Sequence, residues 1–181
     1  SYVGTGSHIK FDHIVFTFHG IPQSQCTRTD ETQKVCTQVA DCCSRRCDAN
    51  RNCYRAQCLE TARLLADRLN LSDDVWSISF SSRKTVRGNI KWTEPYTDEL
   101  LCELPQNGCK RVAVYSPSFT ADCVETLAEL GGEGKTLFSN AGGEDLLIIP
   151  CINSSDAWTS NLARMIQEPP GAGGGKGYWA M

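Results

Sequence analysis

The chain has 181 residues, 40% of them hydrophobic, with 11 cysteines and a formal net charge of −3. That length supports one ordinary domain with a sizeable core and leaves no room for a second full one. The slight acidity supplies no basic field for nucleic acid, and no apolar run approaches the roughly 18 residues of a membrane span.

Residues 1–11 lack periodicity and form a lead-in. Because Ser1 is neither an initiator methionine nor part of a charged-then-apolar leader, the chain is expected to be a cytoplasmic protein and a piece of something longer. Ile14, Val15, Phe16 and Phe18 then form the β-branched and aromatic run of a strand buried on both faces, closed by Gly20 and Pro22. His19 falls at the carboxyl end of that strand, the place where open parallel α/β sheets bind ligands. Taken alone it is as well read as a satisfied core histidine.

The next stretch, 23–53, is polar and holds six of the cysteines: Cys26, Cys36, Cys42, Cys43, Cys47 and Cys53. It cannot bury a core of its own, so cross-linking through a metal is the expected source of its order. A local cluster in a strongly periodic chain without a leader points to metal binding over a secreted disulfide framework. Tyr54, Cys58, Ala62, Leu65 and Leu69 recur at helical spacing, and Asn70 ends that helix. Val75 to Phe80 is a second strand, with Ser81, Ser82 and Arg83 at its end and a loop holding Arg87, Gly88 and Trp92 after it.

Pro95 is expected to open a helix that carries Thr97, Asp98 and Glu99 in its first turn and stops at Gly108. Arg111 to Ser116 is a third strand. Thr120 or Asp122 then caps a helix with Glu125 in its first turn, running through Val124, Leu127 and Leu130 to a stop at Gly131 and Gly132. A fourth strand covers Asp145 to Pro150, a last helix runs from about Ser155 to Ile166, and 168–181 is a Gly/Pro tail without a fold.

Alternating strands and helices predict an α/β fold: a mainly parallel four-stranded sheet flanked by helices, one domain over 12–167 with the cysteine-rich insertion 23–53 inside it. No strand ends in GxGxxG or GxxxxGK[ST], so a nucleotide is not indicated. What the strand ends bring toward one edge is His19, Ser82, Arg83, Asp122 and Glu125. A histidine facing a carboxylate across a cleft can bind a divalent cation or pass a proton.

The residues then match a known family. Phe18-His19-Gly20-Ile21-Pro22; Tyr54 with Gln57-Cys58 and Thr61; Phe80-Ser81-Ser82-Arg83; Trp92 with Pro95-Tyr96-Thr97-Asp98-Glu99; Pro117 to Leu127; and Ile149-Pro150 with Asn153 occur in unbroken order. Together they resemble the carboxyl-terminal half of ferrochelatase, the lyase that inserts Fe²⁺ into a porphyrin to make haem. The resemblance implies one half of a two-domain fold, with porphyrin, most simply protoporphyrin IX, and ferrous iron as substrates. The other wall would come from the missing N-terminal half or a second copy of the chain. It also implies that His19 and Glu125 are catalytic and hold the incoming Fe²⁺, and that Ser82, Arg83, Trp92, Tyr96 and Asp122 bind substrate.

Two features depart from the simplest members. The loop between Arg83 and Trp92 is longer, and the cysteine segment is an insertion similar to that of bacterial members with an internal [2Fe–2S] cluster. Cys26, Cys36, Cys43 and Cys53 are favoured as its ligands because they are well separated, with Cys42 and Cys47 as alternates and zinc as the alternative metal. Cys58, Cys102, Cys109, Cys123 and Cys151 are structural thiols. The competing readings are a non-catalytic iron–sulfur or zinc module and a chelatase for another metal and tetrapyrrole, since neither His nor Glu selects strongly among first-row dications.

Overall fold

The computed structural model describes residues 11–83 and 90–167. Residues 1–10 of the lead-in, the tail from 168 and the part of the lengthened loop holding Arg87 and Gly88 lie outside that range. The chain divides into two units, Ser1–Cys151 and Ile152–Met181. The second contributes one described helix, α5 (Asp156–Gln167), in which no residue is buried.

In the first unit β1 (His13–His19), β2 (Trp76–Ser81), β3 (Arg111–Tyr115) and β4 (Asp145–Ile148) form an all-parallel sheet in the order β2-β1-β3-β4. The predicted α/β class is therefore the observed one. Helix α1 (Gln23–Thr27) and a 3₁₀ turn (Asp48–Asn50) lie in the cysteine insertion. Between the strands come α2 (Tyr54–Arg68), α3 (Thr97–Gln106), a π-helix (Glu125–Gly134) and α4 (Lys135–Asn140).

Strand period decides which residues meet which helix. Ile14, Phe16 and Phe18 of β1 pack with Phe80 of β2 against Cys58, Ala62 and Ala66 of α2. Val15, one position out of phase, packs with Val112, Val114 and Leu146 against Leu101, Leu104, Leu130 and Phe138 of the opposite helices. Thr17 and His19 share the parity of Val15. The histidine is thereby delivered to the α3 and π-helix side of the sheet, where a chain of buried hydroxyls, Thr17 to Thr97 at 2.8 Å and Thr97 to Ser79 at 2.9 Å, stiffens the layer beneath it.

Helix α2 ends as its sequence suggests. Asn70 adopts the left-handed conformation (φ 53°), with Leu71 N donating to Ala66 O and Asn70 N to Asp67 O, the Schellman arrangement with Asn in place of Gly. Helix α3, in contrast, starts two residues after Pro95. Phe80 N donates to Pro95 O and Phe80 bridges Tyr96 in parallel, so residues 95–96 run extended beside β2 before the helix begins.

The larger departure is at Gly131 and Gly132, which do not stop a helix. The chain passes through them as a π-helix and continues into α4 without a break. Two glycines of the helix, Gly131 and Gly134, relieve crowding: a Cβ on Gly131 would lie 3.3 Å from Thr126 O, and one on Gly134 would lie 3.3 Å from the Leu101 side chain. Neither Thr120 nor Asp122 caps the helix, whose first residues have no side-chain cap hydrogen bond.

At the opposite end of the sheet the buried His13 is hydrogen-bonded to Ser77 Oγ at 2.9 Å. Burial lowers its pKa, with the Asp74 carboxylate opposing in part. The unfolded chain takes up a proton below about pH 6.5 that the native state resists. This contribution is complete above the unfolded pKa and is lost as pH falls toward the folded one. The urea midpoint should therefore decline between pH 7.5 and 5.5, and part of that decline should vanish in His13→Gln; an equal decline in the variant would mean that His13 does not titrate with unfolding.

Candidate functional site

His19 is the last residue of β1 and is fixed from several sides. Its Nδ1 lies 2.6 Å from Gly20 O, and since a carbonyl only accepts, Nδ1 carries a hydrogen, which in the neutral tautomer leaves the lone pair on Nε2. Tyr54 donates its hydroxyl hydrogen to His19 O at 2.8 Å, and Gly20 N donates to Ser81 O at 2.8 Å. A side chain at Gly20 would come within 2.9 Å of that Ser81 carbonyl, so the strand end tolerates only glycine without moving β2.

A cleft of about 380 Å³ opens beside His19. Ser82 and Arg83 line it from the end of β2, and Glu125, Glu129 and Glu133 line it from the π-helix. With i→i+5 hydrogen bonding the helix has more than four residues to the turn, so glutamates four apart run along one side of it. Glu125 and Glu129 are half-buried and Glu133 is exposed, giving a row of carboxylates along the cleft that His19 also lines.

Of the predicted site residues the structure thus brings His19, Glu125, Ser82 and Arg83 to one cleft. It engages Ser82 and Arg83 with protein groups. Ser82 donates to Glu129 Oε2 at 2.6 Å. Arg83 pairs with Asp98 at 2.7 Å and Glu99 at 2.9 Å while its guanidinium lies 4.0 Å above the Tyr96 ring. Trp92, Tyr96 and Asp122 are not among the lining residues. Trp92 bridges Pro22, and its buried Nε1 has no hydrogen-bond partner among the described residues. Asp122 instead ties the start of the π-helix to the end of β4, accepting from Thr126 Oγ1 and Cys151 N, each at 3.2 Å. Sequence reasoning missed Glu129 and Glu133; the signal was a glutamate every fourth residue, obscured because the glycines among them looked like a helix stop.

The insertion gathers its thiols. Cys26, Cys36, Cys43 and Cys53 are at most 8% exposed and pack on Ala56, with Ile21, Cys42 and Leu59 around them, whereas Cys47 is exposed. Thiol hydrogen bonds from Cys26 and then Cys43 pull the pKa of Cys53 far below that of an ordinary thiol, and the same bonds raise those of Cys26 and Cys43. Burial pushes Cys36 up to about 11. Two buried polar residues hold the loops in place. Asp30 accepts from Thr32 Oγ1 and from the backbone of Thr32, Val35 and Cys36, and these bonds, led by the Thr32 hydroxyl, keep its carboxyl well below the usual range. Asn50 donates to Cys42 O and Arg45 O and accepts from Cys47 N.

Among the described residues no three His, Cys, Asp or Glu side chains converge as a single-ion site requires. A two-iron centre asks for something different, two thiolates on each of two irons. Cys26, Cys36, Cys43 and Cys53, together with the half-buried Cys42, line a common cleft beside Arg55, so thiol donors are present in sufficient number.

Comparison with known proteins gives a consistent family. The ferrochelatase family model matches residues 5–169. Curated relatives include the ferrochelatases of Pseudomonas fluorescens strain Pf0-1, 45% identical over 161 residues (88% of this chain, 46% of that protein); of Azotobacter vinelandii, 41% over 167 residues (91% and 48%); and of Stutzerimonas stutzeri, 42% over 163 residues (90% and 47%). The chain spans about half the length of the curated relatives it matches.

Proposed function

The chain belongs to the ferrochelatase family, and from that premise we propose that it is the carboxyl-terminal, metal-side half of an enzyme that inserts Fe²⁺ into a porphyrin in haem biosynthesis. The observation that carries this reading is the opposition of His19 and Glu125 in one cleft, at the end of β1 and the start of the π-helix.

Insertion exchanges two pyrrole N–H protons for one dication, so a site must both strip a hydrated metal and accept protons. Glu133, Glu129 and Glu125 provide successive oxygen ligands that can replace the waters of Fe²⁺ in steps. His19, with its lone pair held on Nε2, accepts a pyrrole proton, and the charge of the neighbouring carboxylates stabilises the imidazolium that forms. Arg83 lines the part of the cleft that the porphyrin edge meets, with the Tyr96 ring packed beneath its guanidinium, protoporphyrin IX being the simplest substrate. The opposite wall comes from the missing N-terminal half or, failing that, from a second copy. Among the described residues no helix is long and apolar enough to cross a membrane, and eleven free cysteines accord with a cytoplasmic setting.

The four buried thiols Cys26, Cys36, Cys43 and Cys53 would hold a [2Fe–2S] centre, with Cys42 and Cys47 as alternate ligands. When bound, such a centre supplies one-electron redox chemistry and a cross-link for the insertion. Asp30 and Asn50 set the backbone that presents the thiols.

One anaerobic preparation of the full-length protein tests both parts. Growth of a metalloporphyrin spectrum on adding Fe²⁺ and porphyrin is the expected result, together with visible absorbance of the protein before substrate is added. Colourless protein that turns over removes the centre alone; coloured protein without turnover leaves the chain a metal-binding module.

A further inference from the structure

Ser82 stands out as a non-glycine residue in the left-handed region, with φ 61°, at the mouth of the cleft. Such a conformation persists only where the surroundings over-determine it, and here both neighbours are pinned. Ser81 O receives Gly20 N while Ser81 Oγ donates to Phe18 O, and Arg83 is locked by Asp98 and Glu99. Between these anchors the backbone turns the Ser82 hydroxyl away from β2 and across to the π-helix, where it donates to Glu129 Oε2 at 2.6 Å.

We infer that Ser82 is a positioning residue for the metal side of the cleft, orienting the Glu129 carboxylate, and not a porphyrin contact. This rests on the iron-insertion reading above. A glutamate with no partner distributes its carboxylate over many rotamers. With Oε2 engaged by Ser82, Glu129 holds one, midway in sequence between the exposed Glu133 and Glu125 along the helix that lines the cleft shared with His19. The hydroxyl has no need to touch iron: it selects the rotamer that continues the row of carboxylates.

The test separates backbone conformation from hydrogen bonding in the full-length enzyme. Glycine adopts a φ of 61° freely but has no donor, while asparagine tolerates the left-handed region and supplies an amide N–H. With Fe²⁺ and porphyrin varied independently, Ser82→Gly should raise the KM for iron about tenfold, the factor a hydrogen bond to a charged group commonly carries. The KM for porphyrin should stay within about twofold, and Ser82→Asn should recover most of the loss. A rise confined to the porphyrin KM, equal losses in both variants, or no change in either would overturn the inference. His19→Ala retaining wild-type turnover would remove the underlying reading instead, whatever the Ser82 series gives.

Discussion

His19→Ala in the full-length enzyme is expected to lower kcat for iron insertion by about 10²- to 10⁴-fold, the range associated with losing a positioned general base. The KM values for both substrates should change far less, because the cleft keeps its glutamates and its Ser82 and Arg83 wall. Three backbone constraints make the effect specific to the ring: Tyr54 still donates to the residue 19 carbonyl, Gly20 still pairs with Ser81, and the parity of β1 is unchanged. Steady-state kinetics together with a thermal melt decide the matter. Turnover within a few fold of wild type, at an unchanged melting temperature, would move the proton acceptor elsewhere.

The second large effect is on stability. Phe138, at 1% exposure, is among the largest fully buried side chains and packs with Val15, Leu101, Leu130 and Leu146. Phe138→Ala should cost about 3–5 kcal/mol in urea unfolding, the transfer and cavity terms together. Its position gives that loss a functional edge, because the π-helix that bears Glu125, Glu129 and Glu133 runs straight into α4, and Phe138 is the buried residue of α4. The site is crowded as well as apolar: a methyl added at Gly143 would overlap the Phe138 ring. A measured cost below about 1 kcal/mol would mean that α4 repacks around the smaller side chain.

Which parts of this architecture were legible follows from the physics that formed them. The strands were readable because burial on both faces leaves nearly unbroken apolar runs, and His19 because such a run ends at Gly20 and Pro22. Of the six cysteines in 23–53, the four favoured for their separation are the buried ones, although spacing alone gave no account of Asp30 or Asn50, polar residues whose value lies in backbone groups that fold back on them. The π-helix was illegible for a specific reason: Gly131 and Gly132, residues that usually end a helix, lie inside it, Gly131 where a Cβ would crowd Thr126 O in the widened turn. With the helix cut short on paper, Glu129 and Glu133 had no place in the site. Asp122 and Arg83 matched family motifs, and side-chain geometry adds contacts no motif displays: Asp122 accepts from Thr126 Oγ1 and from Cys151 N, and Arg83 pairs with the first turn of α3.

The hydrogen bond from Tyr54 to His19 has a bearing on how the insertion entered the fold. It joins residues 35 apart in sequence, so everything between them is a loop whose two ends already touch. Closing such a loop costs an entropy that grows only with the logarithm of its length. The sheet therefore registers almost nothing of what hangs from that clasp, and a segment there can be lengthened, shortened or exchanged for a plain turn while the histidine keeps its place. The cysteine segment is, in this sense, an accessory hung from the sheet where a change of its length leaves the histidine's frame undisturbed.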